Sequence, residues 1–450
     1  MKYLPSAAIH MTAYIWLTLL TEQPSLPNLW ASDTTALSGT LNRTIIHSND
    51  HSEETDLENS KKKTIYLDYA ATSPMYPEAA DEMYRILKEQ YGNPSAVYDM
   101  ATYAREAINS ARRTIAKTLN AEMDTIFFTS GGTESDNWAL IGAAEAAARS
   151  GKGNHIVTSS IEHPAILNTC RYLEQRGFRI TYLPVDSEGF IDLSQLKRAI
   201  DSETVLVSIM AANNEIGTIE PIREAAEICH QKGALFHTDA VQAYLHIPID
   251  VKDYGIDLLS ASGHKFGGPK GTGFLYIRRN LEIDSLIHGG AQERKHRAGT
   301  ENTAGIAGMA RAAEKAYSEM SENEKKISAL KEYMLRKVLK LTSIPELSHR
   351  EITLNGTPDR IKRLPGNLNF CFKGLSGESI LILLDMAGIA ASAGSACSSG
   401  SVEPSHVLQQ IGLSKKDADS SVRFTLGSGT TEAEIDYTIK TLENILKKLS

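Results

Sequence analysis

The chain has 450 residues, of which 42% are hydrophobic and 23% are charged, and this ordinary globular composition excludes a wholly disordered chain. Its 55 acidic residues outnumber its 47 basic residues, which leaves a net charge of −8 and argues against nucleic-acid binding by the chain itself. The four cysteines form no CxxC pair, so a disulfide scaffold and a cysteine zinc site are both disfavoured.

Residues 1–63 differ from the rest of the chain. Residues 7–20 form an apolar run that is shorter than the ~20 residues of a membrane-spanning helix, so no stable membrane insertion is predicted. This run is compatible with a signal peptide, with an organellar leader or with an unstructured tail. Residues 48–63 are polar and charged, as in a solvated linker. We expect a cytoplasmic protein that folds from about Thr64, with organellar import of the mitochondrial type through residues 1–63 as the alternative.

Patterns typical of strands and helices alternate from Thr64 onward. Strands are predicted at residues 126–128, 155–159, 178–185, 204–211, 234–237, 258–261 and 273–277. Helices are predicted between them at residues 134–150, 164–176, 193–200 and 221–232. This alternation predicts an α/β fold with a mostly parallel central sheet, in which ligands bind at the carboxyl ends of the strands.

The last ~130 residues have a different pattern, which predicts a smaller α+β domain. Here helices are predicted at residues 322–341, 378–386 and 432–449, with short strands between them. We assign residues 74–320 to a large domain and residues 64–73 plus 321–450 to a small domain. Residues 1–63 are then an N-terminal extension.

The segment TSGGTE at residues 129–134 lies between a predicted strand and a predicted helix. Its glycines allow close approach, and the amides and the Thr133 hydroxyl would surround an anion at the helix N-terminus. Such a segment predicts a phosphate site, and an ordinary helix N-cap is the alternative.

Asp239 and Lys265 each follow an apolar strand. A carboxylate at a strand end can hold a protonated heterocyclic nitrogen, although a helix-capping aspartate is the commoner reading of such a residue alone. A lysine in a Gly-rich turn behind a buried strand can be desolvated, which lowers its pKa and makes it a Schiff-base nucleophile. Taken singly, Lys265 could equally be a surface lysine. Together with the phosphate segment, the two residues indicate a pyridoxal phosphate site.

Three further residues suggest chemistry at the same edge of the sheet. His163 follows a strand and could stack on a flat cofactor, or be a structural hydrogen bonder. Cys397 lies in ASAGSACSSGS, a run of small residues that predicts a mobile loop able to carry a thiol between a pocket and solvent. Arg423 stands alone in an apolar, strand-like stretch, as either an ion-pair partner or a clamp for a substrate carboxylate.

Ten short blocks resemble cysteine desulfurases of the NifS/IscS type, a branch of the fold-type I pyridoxal-phosphate enzymes. They are YLDYAATSP at 66–74, YGNPSA at 91–96, SGGTES at 130–135, EHPA at 162–165, NNEIG at 213–217, HTDAVQ at 237–242, SGHKFGGPKG at 262–271, RAGTEN at 297–302, GSACSSGSVEPSHVL at 394–408 and SVRFTLG at 421–427. The resemblance covers the chain from about Thr64 to the C-terminus.

The resemblance implies roles for individual residues. Cys397, Lys265 and His163 would be catalytic, with Lys265 forming the Schiff base and Cys397 carrying the persulfide. The cofactor, pyridoxal 5′-phosphate, would be bound by Gly132, Thr133, His163, Asn214, Asp239, Gln242, Ser262, His264, Lys265 and, from a second subunit, Thr300. Arg423 and Asn214 would bind the substrate. No resident metal is implied, although Cys397 could ligate a transient iron–sulfur cluster.

The activity implied by the resemblance converts L-cysteine to L-alanine and leaves the sulfur on Cys397. The partners would be a second copy of the chain, and an iron–sulfur scaffold or another sulfur-acceptor protein. The alternatives are a selenocysteine lyase, an aminotransferase-like enzyme, and an assembly subunit that has lost the chemistry.

Three residues depart from the family's pattern. Tyr98 stands where histidine is common, Ala101 where glycine is usual, and Asp136 where asparagine is frequent. These positions are peripheral to the implied chemistry, so they put the partner surface or the local loop shape in doubt rather than the activity.

Overall fold

The computed structural model describes residues 64–393 and 404–449. The predictions for residues 1–63 and for the Cys397 loop therefore lie outside the described residues. Within the described part of the chain, no helix is both long enough and apolar enough to cross a membrane.

A seven-stranded sheet forms the centre of the structure, in the order β2-β8-β7-β6-β5-β3-β4. Its strands are β2 Ile126–Thr129, β3 His155–Ser159, β4 Arg179–Leu183, β5 Thr204–Ser208, β6 Leu235–Asp239, β7 Leu258–Ser262 and β8 Gly273–Ile277. Only β8 runs antiparallel to its neighbours, and the remaining pairs are parallel. The prediction of a mostly parallel sheet is confirmed, with strands that begin and end within a few residues of the expected positions.

Helices cover this sheet. The helices as far as residue 340 are α1 Pro77–Glu89, α2 Asp99–Thr118, α3 Gly132–Ser150, α4 Pro164–Glu174, α5 Leu193–Ala199, α6 Ile222–Gln231, α7 Gln292–Lys295 and α8 Thr303–Lys340. Helix α3 ends as predicted, because Gly151 adopts a left-handed conformation with φ of 67°.

The expectation that the long helix begins near residue 322 is wrong, since α8 begins at Thr303. The first part of α8 is rich in alanine and glycine and is buried on several sides, so it lacks the alternation of apolar and polar residues from which a helix is recognised. The predicted domain boundary at residue 320 falls inside this helix, and the division into two domains stays a prediction.

The C-terminal residues build a second layer of sheet and helix. Its strands are β9 Ile352–Leu354, β10 Asn367–Phe372, β11 Ile389–Ala390 and β12 Ser421–Thr425, together with β1 Ile65–Tyr66. Its helices are α9 Gly377–Met386, α10 His406–Gln410, α11 Lys415–Asp419 and α12 Glu432–Lys448. The order β12-β10-β9 forms an antiparallel sheet, and β1 pairs in parallel with β11. An isolated bridge joins Asp68 to Thr425, so the segment after β1 lies beside β12.

A buried ion pair fixes the strand that precedes the predicted phosphate segment. The Arg112 guanidinium donates to both carboxylate oxygens of Glu293 at 2.8 Å, and the amide of Phe128 in β2 donates to Glu293 Oε2 at 3.0 Å. Glu293 adopts a left-handed conformation with φ of 42°. A non-glycine residue adopts this conformation at a cost, so the surrounding contacts must hold it there.

Candidate functional site

The carboxyl ends of β6 and β7 bring the predicted site residues to one edge of the sheet. Asp239 is the last residue of β6, and Ser262 is the last residue of the neighbouring strand β7. A 3₁₀ turn over Gly263–Lys265 follows β7 directly and carries Lys265. Ligands of parallel sheets bind at this edge, as the strand pattern predicted.

Lys265 is buried, with 8% of its surface exposed, so the reading of a surface lysine does not apply. Its Nζ donates to the carbonyl of Ala70 at 2.6 Å and to that of Ala71 at 3.0 Å. The side-chain amide of Gln242 donates to the same Ala70 carbonyl at 2.9 Å. The segment after β1 therefore holds both Lys265 and Gln242.

Asp239 is buried and accepts a hydrogen bond from the Val241 amide at 2.9 Å. Burial raises the pKa of this carboxyl, while electrostatic interactions with His163 and Lys265 oppose the rise. Two other buried carboxyls, those of Asp136 and Glu162, interact electrostatically with Asp239. Of the three carboxyls, Asp239 is the one that a buried cation, Lys265, acts on, and this interaction favours its ionised form.

Glu162 is the clearest case of a buried carboxyl that keeps its proton. Its Oε1 accepts from the Ser159 hydroxyl at 2.6 Å and from the Met210 amide at 2.9 Å. Its Oε2 is buried without a hydrogen-bond partner. Burial raises the pKa of this carboxyl to about 8, so a neutral Glu162 lies behind Asp239 at neutral pH.

This raised pKa predicts a pH dependence of folding stability. The unfolded chain loses the Glu162 proton near its ordinary pKa of 4.5, and the folded chain keeps it up to about 8. The stabilisation is therefore complete below that ordinary pKa and is lost as the pH rises towards 8, at up to about 1.4 kcal/mol per pH unit. Urea unfolding at several pH values in this window should show a shallower decline for Glu162→Gln than for the unmodified protein. Parallel curves would contradict the assignment of a proton to Glu162.

The start of α3 has the geometry of an anion site. A Cβ at Gly132 would lie 2.6 Å from Val241 Cγ2, and one at Gly131 would lie 3.6 Å from Ser262 Oγ. A side chain at position 132 would therefore force Val241 to move, and the turn lies against Ser262 and Val241. The N-cap residue Gly131 offers no side chain to the first helical amides, and the Thr133 side chain is exposed. These amides and hydroxyls form a donor set suited to a phosphate.

His264 lies on the other side of Lys265, where its Nδ1 is 3.2 Å from the Thr72 hydroxyl. Burial lowers the pKa of this imidazole to about 4, so His264 is neutral at neutral pH. A neutral imidazole can donate one hydrogen bond and accept another.

His163 is the N-cap residue of α4. Its Nδ1 accepts a hydrogen bond from the Ala165 amide at 3.1 Å, which leaves Nε2 as the nitrogen able to carry a proton. The ring is half-buried and interacts electrostatically with Asp239. His163 therefore caps α4 and also lies near Asp239.

Arg423 lies in β12 with 1% of its surface exposed. Its Nη2 is 2.9 Å from Asp68 Oδ1, and its Nη1 donates to the backbone carbonyl of Asn214 at 2.9 Å. The Nε is buried without a hydrogen-bond partner. A buried donor with no partner is unfavourable, and a carboxylate would satisfy it.

The described residues on both sides of the Cys397 loop are attached to this site. Ser392 exchanges backbone hydrogen bonds with Arg423, at 2.7 and 3.1 Å. After the loop, the Ser405 hydroxyl donates to the Glu215 carboxylate, and His406 Nε2 lies 3.1 Å from the Glu162 carbonyl. The segment before the loop is thus paired with the predicted residue Arg423, and the segment after it contacts the sequence neighbours of Asn214 and His163.

The other three cysteines lie within the described residues. Cys170, Cys229 and Cys371 are buried and free. Burial raises the pKa of the Cys170 thiol to about 12 and that of Cys371 to about 11, and it also raises that of Cys229. Since the thiolate is the nucleophile, these three thiols are poor candidates for chemistry.

Two predicted residues are not joined to the others. Thr300 is exposed in the loop before α8, and Cys397 lies outside the described residues.

The sequence predicts no role for Asp68 and Glu162, although both contact site residues. Asp68 follows the short apolar β1, so a carboxylate at a strand end was a signal for it. Across residues 64–393 and 404–449, no group of three or more His, Cys, Asp or Glu side chains is arranged to hold a metal ion.

Known proteins are similar to this chain over most of its length. The model of the aminotransferase class-V family matches residues 65–438. A protein of Clostridium botulinum strain Hall, named cysteine desulfurase IscS, is 52% identical over 386 residues, which cover 86% of this chain and 95% of that protein. A solved structure described as a NifS-like protein superposes with a TM-score of 0.79 at 37% identity, covering 86% of this chain and all 100% of that one. Another, described as SspA in complex with cysteine, has a TM-score of 0.69 at 36% identity and covers 82% of this chain and 100% of its own.

Proposed function

Because the chain belongs to the aminotransferase class-V family, whose cofactor is pyridoxal 5′-phosphate, we propose that it is a cysteine desulfurase that moves sulfur from L-cysteine to Cys397. The observation that carries the proposal is the buried Lys265 amine at the strand edge, near the buried Asp239 carboxyl and a guanidinium whose Nε lacks a partner. Relatives at this level of identity bear the same activity in their names.

The residues present fit the cofactor. The phosphate would lie against the amides at the start of α3, where a Cβ at Gly132 would collide with Val241, together with Ser262 and His264. Asp239 would pair with the ring nitrogen. The family's remaining contacts are proposed for Thr133, Asn214, Gln242 and, from a second subunit, Thr300. The donors suit the anionic end of the cofactor, and the buried carboxylate suits its cationic ring.

When bound, pyridoxal phosphate supplies an electron sink and a covalent attachment for the substrate amine. Arg423 binds the carboxylate of L-cysteine through its free Nε edge and thereby fixes the orientation of the substrate. Lys265 moves a proton at the substrate α-carbon. His163 carries a proton on Nε2 and is placed to transfer it to the substrate.

Cys397 is the proposed sulfur acceptor. It lies four residues after Ala393, and four residues span at most about 14 Å, so the thiolate can reach a substrate held by Arg423. In the transfer, the Cys397 thiolate forms a bond to the substrate sulfur while the carbon–sulfur bond breaks. The carbon gains a proton, L-alanine leaves, and Cys397 keeps a persulfide. The substrate carbon is reduced and the thiol sulfur is oxidised, so no other redox partner is needed.

Replacing Cys397 by serine tests the proposal. We expect L-alanine formation from L-cysteine to fall at least about 100-fold, because serine cannot accept the sulfur. Alanine is measured by chromatography and sulfide by a colorimetric assay. The matched control is Cys371→Ser, since the buried Cys371 thiol donates to the Asp417 carbonyl at 3.4 Å and a serine hydroxyl can replace it. Equal activity of all three proteins would overturn the role of Cys397.

A homodimer and a sulfur-acceptor protein are the proposed partners. Large apolar side chains of residues 84–103 are more than half exposed, as expected of a surface covered by another chain. They are Tyr84, Leu87, Tyr91, Val97, Tyr98 and Tyr103. Sedimentation at the mass of a single chain would contradict the dimer. We also propose a cytoplasmic location, and for the acceptor an iron–sulfur scaffold or another protein that accepts a persulfide.

A further inference from the structure

Asp68 and Arg423 form an ion pair inside the site. The 2.9 Å contact joins Arg423 Nη2 to Asp68 Oδ1, and the side chains are 2% and 17% exposed. The carbonyl of Asn214 holds Nη1 from the other side. These two contacts fix the guanidinium plane and leave its Nε edge for a ligand carboxylate.

The same short segment also approaches Lys265. The Ala71 amide donates to the Asp68 carbonyl at 3.0 Å, which closes a turn over residues 68–71. Within this turn, the carbonyls of Ala70 and Ala71 accept the hydrogen bonds of Lys265 Nζ. Asp68 therefore lies near two cations. Arg423 would hold the substrate carboxylate, and the substrate amine must approach Lys265.

The charges around this point are nearly balanced. Burial raises the pKa of the Asp68 carboxyl, and the cations Arg423 and Lys265 oppose the rise. The Glu215 carboxyl also interacts electrostatically with Arg423; burial raises its pKa, and its oxygen accepts a hydrogen bond from the Ser405 hydroxyl. A carboxylate alone would add a second anion beside Asp68, whereas a zwitterion would bring its own cation.

We propose that Asp68 is a positioning and specificity residue, which fixes Arg423 and makes the site take α-amino acids in zwitterionic form while it rejects carboxylates that lack a neighbouring cation. The assignment deepens the proposed function and rests on it. The physical reason is that discrimination against a ligand is obtained by an unfavourable like charge as well as by favourable contacts.

The test compares L-alanine with propionate, which is alanine without its amino group. Calorimetry with the cofactor-loaded protein gives a dissociation constant for each, in the unmodified protein and in Asp68→Asn. We expect the ratio of the propionate constant to the alanine constant to fall at least tenfold, that is by about 1.4 kcal/mol, since the variant loses the repulsion of propionate and the attraction of the ammonium. Asp385→Asn, on an exposed side chain, serves as the control and should leave the ratio unchanged.

A residue that only supports the fold would give a different result. The dissociation constants of alanine and propionate would then rise together, and their ratio would not change. That outcome overturns the proposal. The proposal is also overturned if neither the two constants nor their ratio changes. If Asp68→Asn does not fold, Asp68→Glu replaces it: the charge is kept, so the ratio should stay within about threefold, and a larger fall overturns the proposal. If the unmodified protein makes no alanine from L-cysteine, the proposed function is wrong. If it makes alanine normally but Asp68→Asn leaves the ratio unchanged, only the specificity role of Asp68 is wrong.

Discussion

Replacing Lys265 by alanine should reduce alanine formation from L-cysteine at least about 1000-fold, because one substitution removes both the covalent attachment point and the proton carrier. The amine is buried and held by the carbonyls of Ala70 and Ala71, so no other lysine can take its position. The purified variant should also lose the visible absorbance of the bound cofactor. Absorbance and single-turnover alanine formation are the two measurements.

Lys270 provides the matched control for this prediction. It lies five residues further along the same loop and is exposed, so Lys270→Ala should retain cofactor and activity. The variant Lys265→Arg keeps the positive charge without the nucleophile, and it should be as inactive as Lys265→Ala. Activity in Lys265→Arg would mean that the charge rather than the amine is required, and the assignment of Lys265 would be wrong.

The substitution Glu293→Gln should destabilise the folded chain by about 3–5 kcal/mol, the usual cost of breaking a buried ion pair from one side. The side chains of Arg112 and Glu293 are 5% and 3% exposed, so water cannot solvate the guanidinium that remains. A second arginine, Arg294, is held close by, and burial lowers its pKa to about 10. Loss of the carboxylate therefore leaves the buried Arg112 cation uncompensated, with Arg294 as a second positive charge nearby, and the free energy of unfolding in urea measures the effect.

An exposed pair with the same chemistry serves as the comparison. Arg279 and Asp124 are 2.8 Å apart, but their side chains are 53% and 55% exposed. The variant Asp124→Asn should lose no more than about 1 kcal/mol, since surface pairs contribute little. If Glu293→Gln costs as little as Asp124→Asn, the buried pair does not stabilise β2 as described.

The central sheet could be predicted because its strands are short and buried. All residues of β3, β5, β7 and β8 are buried, so each appears in the sequence as an apolar run between turn residues. Asp239 and Lys265 follow two of these strands, so both could be proposed as site residues before the fold was known. These residues are predictable because strand ends and ligand sites coincide in such sheets.

Other features depend on contacts that no local pattern reports. Asp68 pairs with Arg423, which is 355 positions away in the chain. Glu162 keeps a proton because the fold buries its carboxyl, although Ser159 and Met210 donate hydrogen bonds that oppose this effect, and no local sequence pattern reports the burial. The beginning of α8 was missed for another reason, since its small residues are buried on several sides and leave no polar face. Long-range pairing and all-round burial therefore set the limits of the sequence interpretation.

The central claim is that sulfur from L-cysteine is transferred to Cys397, and peptide mass spectrometry tests it most directly. The cofactor-loaded protein is mixed with L-cysteine, without reductant and in the absence of an acceptor, and is then alkylated and digested. The peptide that contains Cys397 should gain the mass of one sulfur atom in an amount equal to the alanine released in the first turnover. Peptides with Cys170, Cys229 and Cys371 should remain unchanged. Alanine release with no added sulfur on Cys397 would contradict the account.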